Sequence, residues 1–108
     1  MSTFYIKQND TSPDLQVTCK DYEGTVVNVS GATVNFHMRN KQTREVQVDG
    51  VGSIVDGAAG QVKYSWSAGD TDTVGGFDAE FEIIYSDSSV ETFPNNGFIT
   101  VVVLDDIA

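Results

Sequence analysis

Residues 77 to 85 confine this chain to one kind of structure. Phe77, Ala79, Phe81, Ile83 and Tyr85 fall on one side of an extended backbone. Asp78, Glu80 and Glu82 fall on the other. An apolar period of two describes a half-buried antiparallel strand and not a helix. A polar turn follows, and the chain returns as strand through Glu91 to Asn95 and again from Phe98 to Asp105.

The same alternation recurs upstream. Phe4 to Lys7 is a short strand at the start, and Asn9 to Pro13 is a turn. Leu15, Val17 and Cys19 alternate with Gln16, Thr18 and Lys20. A short strand at Thr25 to Val27 is also compatible with the pattern. Val34, Phe36 and Met38 alternate with Asn35, His37 and Arg39. Asn40 to Gln42 reads as a hairpin turn, and Glu45 to Val48 as the next strand. Asp49-Gly50 and Asp56-Gly57 are expected to end strands, because Gly accepts positive φ and Asp bonds its own backbone. Val51 to Val55 lies between them. Gln61 to Trp66 turns Val62, Tyr64 and Trp66 inward, and Ala68 to Gly75 is a loop. No stretch holds a helix of three turns. The expectation is an all-β, immunoglobulin-like β-sandwich of about seven to nine mostly antiparallel strands. Its predicted core is Val34, Phe36, Met38, Val62, Tyr64, Trp66, Phe77, Phe81, Ile83 and Phe93.

At 108 residues the chain is expected to form a single domain spanning 1–108. Sixteen acidic residues against six basic give a net charge of -10. Such a surface repels nucleic acid and anionic membrane, so neither is expected as a partner. No apolar run approaches the roughly 18 residues of a membrane span. The opening Met1-Ser2-Thr3-Phe4 lacks a basic segment followed by an apolar one, so no export signal is expected. The expected place of synthesis is a bacterial cytoplasm.

Chemistry-bearing residues are sparse. Cys19 shares a face with Leu15 and Val17 and reads as a small buried hydrophobe. His37 is the single histidine and falls on the wet side of its strand. One His and one Cys do not supply a zinc site. Asp78, Glu80 and Glu82 recur at about 6–7 Å along one strand face, near the separation used by paired glycosidase carboxylates. A solvated strand face accounts for them better, since nothing nearby in the sequence suggests a raised pKa or a substrate cleft. Asp70, Asp72 and Asp78 flank a Gly-rich loop and have oxygens to offer calcium, but the twelve-residue helix–loop–helix pattern is missing. Tyr64 and Trp66 share a face, either as a platform for sugar or peptide or as filling for the gap of about 10 Å between sheets. No catalytic residue, metal site or cofactor is expected.

Four segments in order form a further pattern: Ala32 to Met38, Gly60 to Trp66, Gly76 to Ile83, and Glu91-Thr92-Phe93-Pro94-Asn95 with the strand after it. This series resembles the amino-terminal immunoglobulin-like domain of the phage upper baseplate proteins, the BppU family, from about Phe4 to Asp105. The resemblance implies a non-enzymatic structural connector of a tailed phage virion. Its expected partners are other virion proteins of tail, baseplate or capsid, with a homo-oligomer in the particle. Because the chain stops just after the domain, a baseplate or tail accessory is the expectation. Capsid decoration and a small carbohydrate- or cell-surface-binding module are the alternatives. The last strand carries apolar residues on both faces, and the start carries three in a row. Phe4, Tyr5, Ile6, Ile99, Val101 and Val103 are therefore the predicted interface, the alternative being that the first strand folds across the sandwich and covers this stripe within one chain.

Overall fold

The alternating stretches become strands, and the inward residues of each meet in one core. The computed structural model describes residues 3–107, so the domain expected over 1–108 is seen across that range. In chain order the strands are β1 (Thr3–Lys7), β2 (Leu15–Thr18), β3 (Thr33–Asn40), β4 (Val46–Val51), β5 (Ser53–Asp56), β6 (Gln61–Tyr64), β7 (Gly75–Ile84), β8 (Val90–Phe93) and β9 (Ile99–Leu104).

They form two open sheets. The larger runs β1-β9-β7-β3-β4, with β8 also paired to β7, and the smaller runs β2-β6-β5. Only β1 against β9 is parallel; the other pairs are antiparallel. The length of β7 explains how one sheet takes six strands. Its residues Gly75 to Ala79 pair with β9, and Phe81 to Ile84 pair with β8. The opposite edge of β7 is occupied by β3 from Phe77 to Ile84. Between β8 and β9 the chain leaves the sheet at Pro94, which has no N–H to donate. The result is an immunoglobulin-like β-sandwich.

All ten predicted core residues are buried. Phe36 stands at their centre. Its ring stacks on Tyr64 from the other sheet, with centroids 4.4 Å apart and planes 11° apart. Trp66 meets it edge-on at 5.8 Å, and Phe81 lies beside it at 5.0 Å. Phe4 extends the stack by packing on Trp66 at 5.9 Å. Offset and edge-on aromatic pairs add about 0.5–1.5 kcal/mol each beyond the area they bury.

Three expectations are corrected. Asp49-Gly50 ends no strand: both residues lie within β4, opposite His37 and Phe36. Glycine serves there for room and not for a turn. A Cβ on Gly50 would sit 2.9 Å from the Tyr64 ring. Val51 closes β4, and the chain crosses to the smaller sheet at Gly52, where a Cβ would meet Val34 at 2.8 Å and the Lys63 carbonyl at 2.9 Å. Thr25 to Val27 forms no strand and contributes a single bridge between Val26 and Lys20.

The predicted interface stripe is the third correction. Ile99, Val101 and Val103 point into the core of their own chain and are buried, as is Ile6. The two faces of β9 are the reverse of a covered and an open side: Thr100, Val102 and Leu104 form the outer one. Parallel pairing with β9 orders the start of the chain within the same sheet, so Phe4 and Ile6 reach inward with no second subunit. Phe4 is half-buried, and Tyr5 alone of the six predicted residues is well exposed.

Phe36→Ala removes the ring on which three others pack. The expected loss is about 3–5 kcal/mol, from lost transfer energy and the cavity left behind. Urea denaturation measures it, and a loss below about 1 kcal/mol would contradict the packing described.

Candidate functional site

The outer face of the larger sheet holds most of the charged side chains that touch one another. Cross-strand register sets its rows. Thr100, Asp78, Arg39 and Val46 form one row across β9, β7, β3 and β4. Glu80, His37 and Asp49 form the next, and Glu82, Asn35 and Val51 the one after.

Asp78 is the surprise of the first row. Its alternation with Phe77 and Ala79 marks it as wet, yet only 8% of it is exposed. Three cations cover it. Lys41 donates to Oδ1, Arg39 Nε lies 3.5 Å from Oδ2, and Arg44 lies 3.8 Å from Oδ2. The turn after β3 makes this possible. Asn40 caps it by accepting from the backbone N–H groups of Gln42 and Thr43, and Arg44 takes a φ of 67°. The turn thereby returns Lys41 and Arg44 over the sheet. Half of the six basic residues of the chain converge on one carboxylate. Burial alone would raise the Asp78 carboxyl. The hydrogen bond and charge of Lys41, then the charge of Arg39, outweigh burial and hold the carboxyl below its ordinary range.

Arg39 is less well served. At 3.5 Å its Nε makes an ion pair but no hydrogen bond, and that nitrogen is buried without another partner. Its guanidinium lies over the Phe98 ring, 5.0 Å from the centroid, a cation–π contact. A shallow cleft of about 280 Å³ opens here between Arg39, Val46, Asp49, Glu80 and Phe98.

The other sequence candidates are accounted for by local structure. His37 stands between its two cross-strand neighbours, 3.5 Å from Asp49 and 3.4 Å from Glu80. Glu82 accepts from the Asn35 amide at 3.1 Å. The three carboxylates of β7 thus each have a partner on β3 or in the turn after it, and the cleft lined by Asp78 and Glu80 is open and shallow. Asp70 and Asp72 brace the loop before β7. Asp70 accepts from the Tyr64 hydroxyl at 2.6 Å and from the Ser67 N–H at 2.8 Å. Asp72 accepts from Gln47 at 2.9 Å. Asp78 lies elsewhere, under its cations, so these three carboxylates do not converge on a calcium. Among the described residues no cluster of three or more His, Cys, Asp or Glu is placed to hold a metal ion.

Tyr64 and Trp66 belong to the core and offer no platform. The Trp66 indole N–H donates to the Pro13 carbonyl at 3.1 Å, which satisfies its one donor inside the fold. Burial and then the Asp70 bond push the Tyr64 hydroxyl up to about 12. Cys19 is fully buried, and burial pushes its thiol up to about 11, with Glu91 adding to the shift. A thiol so protonated is a poor nucleophile and metal ligand.

No protein-family model matches the chain, and no curated protein does. Among solved structures it is similar to CopC from Methylosinus trichosporium OB3b, with a TM-score of 0.56 and 10% identity. That match covers all of this chain and 89% of the other. At such identity the likeness concerns the fold, and it agrees with an immunoglobulin-like sandwich.

Asp78→Asn should cost about 1.5–3 kcal/mol at neutral pH, the range for hydrogen bonds to charged groups. Because the folded carboxyl sits below its unfolded value, its contribution is present above the unfolded value near 3.8 and is lost as pH falls further. Urea denaturation should therefore show the gap between wild type and variant closing below about pH 4. A constant gap would contradict the ion cluster. Cys19 should react with a thiol-specific disulfide reagent at pH 8 only as fast as the protein unfolds. Rapid labelling of the native chain would contradict its burial.

Proposed function

We propose that this chain is a non-enzymatic structural protein of a tailed phage virion. In this reading it is a baseplate or tail accessory that works through protein–protein contacts and assembles with copies of itself in the particle. The observation that supports the contact role is the difference between the two outer faces of the sandwich. The small sheet turns Gln16, Thr18, Lys63 and Ser53 outward, with Lys63 paired to Asp14 at 3.3 Å. Apart from Val55 on β5, that is an ordinary solvated face. The large sheet turns out Tyr5, Val46, Val51, Val90 and Leu104, and Phe98 lies on the same side. Val51 is 75% exposed and Tyr5 62%. Apolar side chains spread over one broad sheet face favour a partner surface.

The phage assignment rests on the ordered segments that resemble the upper baseplate family. They coincide with structural units: Ala32 to Met38 enters β3, Gly60 to Trp66 carries β6, Gly76 to Ile83 is most of β7, and Glu91 to Asn95 ends β8 and its turn. The proline of that last segment separates β8 from β9 and so lets both pair with β7. The carbohydrate-binding alternative loses its aromatic platform with the burial of Tyr64 and Trp66.

Two measurements test the proposal. The chain should sediment with particles from a lysate in which it is made, and its native mass should exceed one copy. Val51→Glu should release it from the particle while changing stability by no more than about 0.5 kcal/mol, as for surface substitutions generally. A strict monomer that is absent from particles would overturn the reading.

A further inference from the structure

The immunoglobulin sandwich of constant type has a four-stranded sheet in which the first strand lies beside the second. Here the first strand has gone to the other sheet. β1 pairs with β9, and the small sheet is left with β2 as a free edge. We propose that the vacant position beside β2 receives an extended strand from a partner protein, apolar at alternate residues and bearing a carboxylate where it passes Lys20.

The position is open in three respects. The first is the backbone. Cys19 N–H donates to Gly60 at the β6 side. By the two-residue period of a strand, Leu15 and Val17 face β6 as well. Gln16 and Thr18 therefore direct their N–H and C=O groups away from β6, and among the described residues no backbone or side-chain partner meets them. Such a row is the template for strand addition.

The second is the space. A groove of about 470 Å³ runs along this edge. Leu15 and Val17 line one side, and Phe4, Ile99, Phe93 and Pro94 line the other. Phe4, Val17 and Pro94 are only half-buried there, while Leu15, Phe93 and Ile99 are already buried. Alternate side chains of an added strand would enter this groove while the remainder faced solvent.

The third is charge. Sixteen acidic residues cover the chain, yet none lines the groove. Lys20 is its single charged residue, is exposed, and makes no ion pair among the described residues. An apolar strand with one acidic residue complements that lining. A second copy of β2 does not, since Leu15 to Thr18 contains no acid and each copy brings a charge of -10.

The edges of β4 and β5 are less suited. The ladder of β4 on β3 shifts register between Met38 and Arg39, and that of β5 on β6 shifts between Ile54 and Asp56. Irregularities of this kind protect an edge from pairing. The β2 ladder runs through all four residues without a shift.

The inference rests on reading the chain as a protein-binding module, but its test is separate from particle association. An array of short acetylated peptides, apolar at alternate positions with Asp at one end or the other, is titrated against the full chain. The same compositions with their apolar residues in a block are the controls. Alternating peptides should bind at least about tenfold tighter than block controls. Their binding should shift the backbone amide signals of Gln16, Thr18 and Lys20. Thr18→Pro removes an edge-facing donor, which a sheet edge tolerates, and should weaken binding by about tenfold or more. Lys20→Glu, at an exposed position, keeps the test open should the proline variant misfold. It should weaken Asp-bearing peptides and strengthen the same peptides carrying Lys instead. Equal binding of block controls would overturn the proposal. So would a folded Thr18→Pro variant that binds unchanged, shifts confined to Thr3 and Tyr5, or self-association that protects the β2 edge without peptide. Peptide binding by a chain absent from particles would spare this inference and defeat the virion reading. A chain present in particles that binds no strand would do the opposite.

Discussion

The contact between Phe36 and Tyr64 holds the two sheets in place. One ring comes from β3, an interior strand of the large sheet, and the other from the middle strand of the small one, and they lie nearly parallel at 4.4 Å. Such closeness requires an empty place beside them. Gly50 supplies it on β4, where any Cβ would strike the Tyr64 ring. The hydroxyl of Tyr64 then reaches Asp70 and fixes the loop that leads into β7. That loop is held from two more sides, by Gln47 on β4 and by the segment after β1. One aromatic pair thus sets the sheet spacing, the choice of glycine and the entry of the longest strand.

The sandwich was legible in the sequence because its strands are half-buried. Each inward side chain alternates with a polar one, as Val34, Phe36 and Met38 do with Asn35, His37 and Arg39. Legibility failed where a local signal served a tertiary purpose. Asp49-Gly50 has the composition of a turn, but its glycine answers a ring from the other sheet, which no local pattern announces. β9 failed for a different reason. Ile99, Val101 and Val103 are as apolar as Val102 and Leu104, so periodicity could not tell its inner face from its outer one. Only the pairing with β1 and β7 decides it. Asp78 has an outward position in the alternation, while its burial comes from Arg39 beside it on β3 and from a turn that folds Lys41 and Arg44 back over the sheet. The spacing of Arg39, Lys41 and Arg44 at and just after the end of β3 is the available signal.

That cluster also changes how the acidic surface reads. A net charge of -10 suggests a uniformly repulsive exterior, and three of six basic residues spent on one carboxylate make the rest more acidic still. The large sheet's outer face is nonetheless not uniform. It carries charged pairs through its middle rows and bare apolar residues at its margins. Acid suppresses indiscriminate self-association, while apolar margins give a fitting partner something to bury. A surface of this kind discriminates by shape and pairing, because charge alone repels most acidic neighbours.

An immunoglobulin-like sandwich is not committed to any chemistry, and function lies in what its faces and edges offer. Here the interior is spent on aromatic packing, the single thiol is buried, and each acid of β7 is engaged. Tyr64 and Trp66, the residues with most to offer a ligand, are the ones the core cannot spare. What stays unspent is backbone hydrogen bonding at the edge of β2 and apolar area on the large sheet. Both are suited to protein surfaces and neither to small polar substrates, since main-chain groups in a row recognise another main chain. The transfer of β1 from the small sheet to the large one produces the first of these directly. It lengthens one sheet, leaves the other a strand short, and so converts a question of topology into an available site.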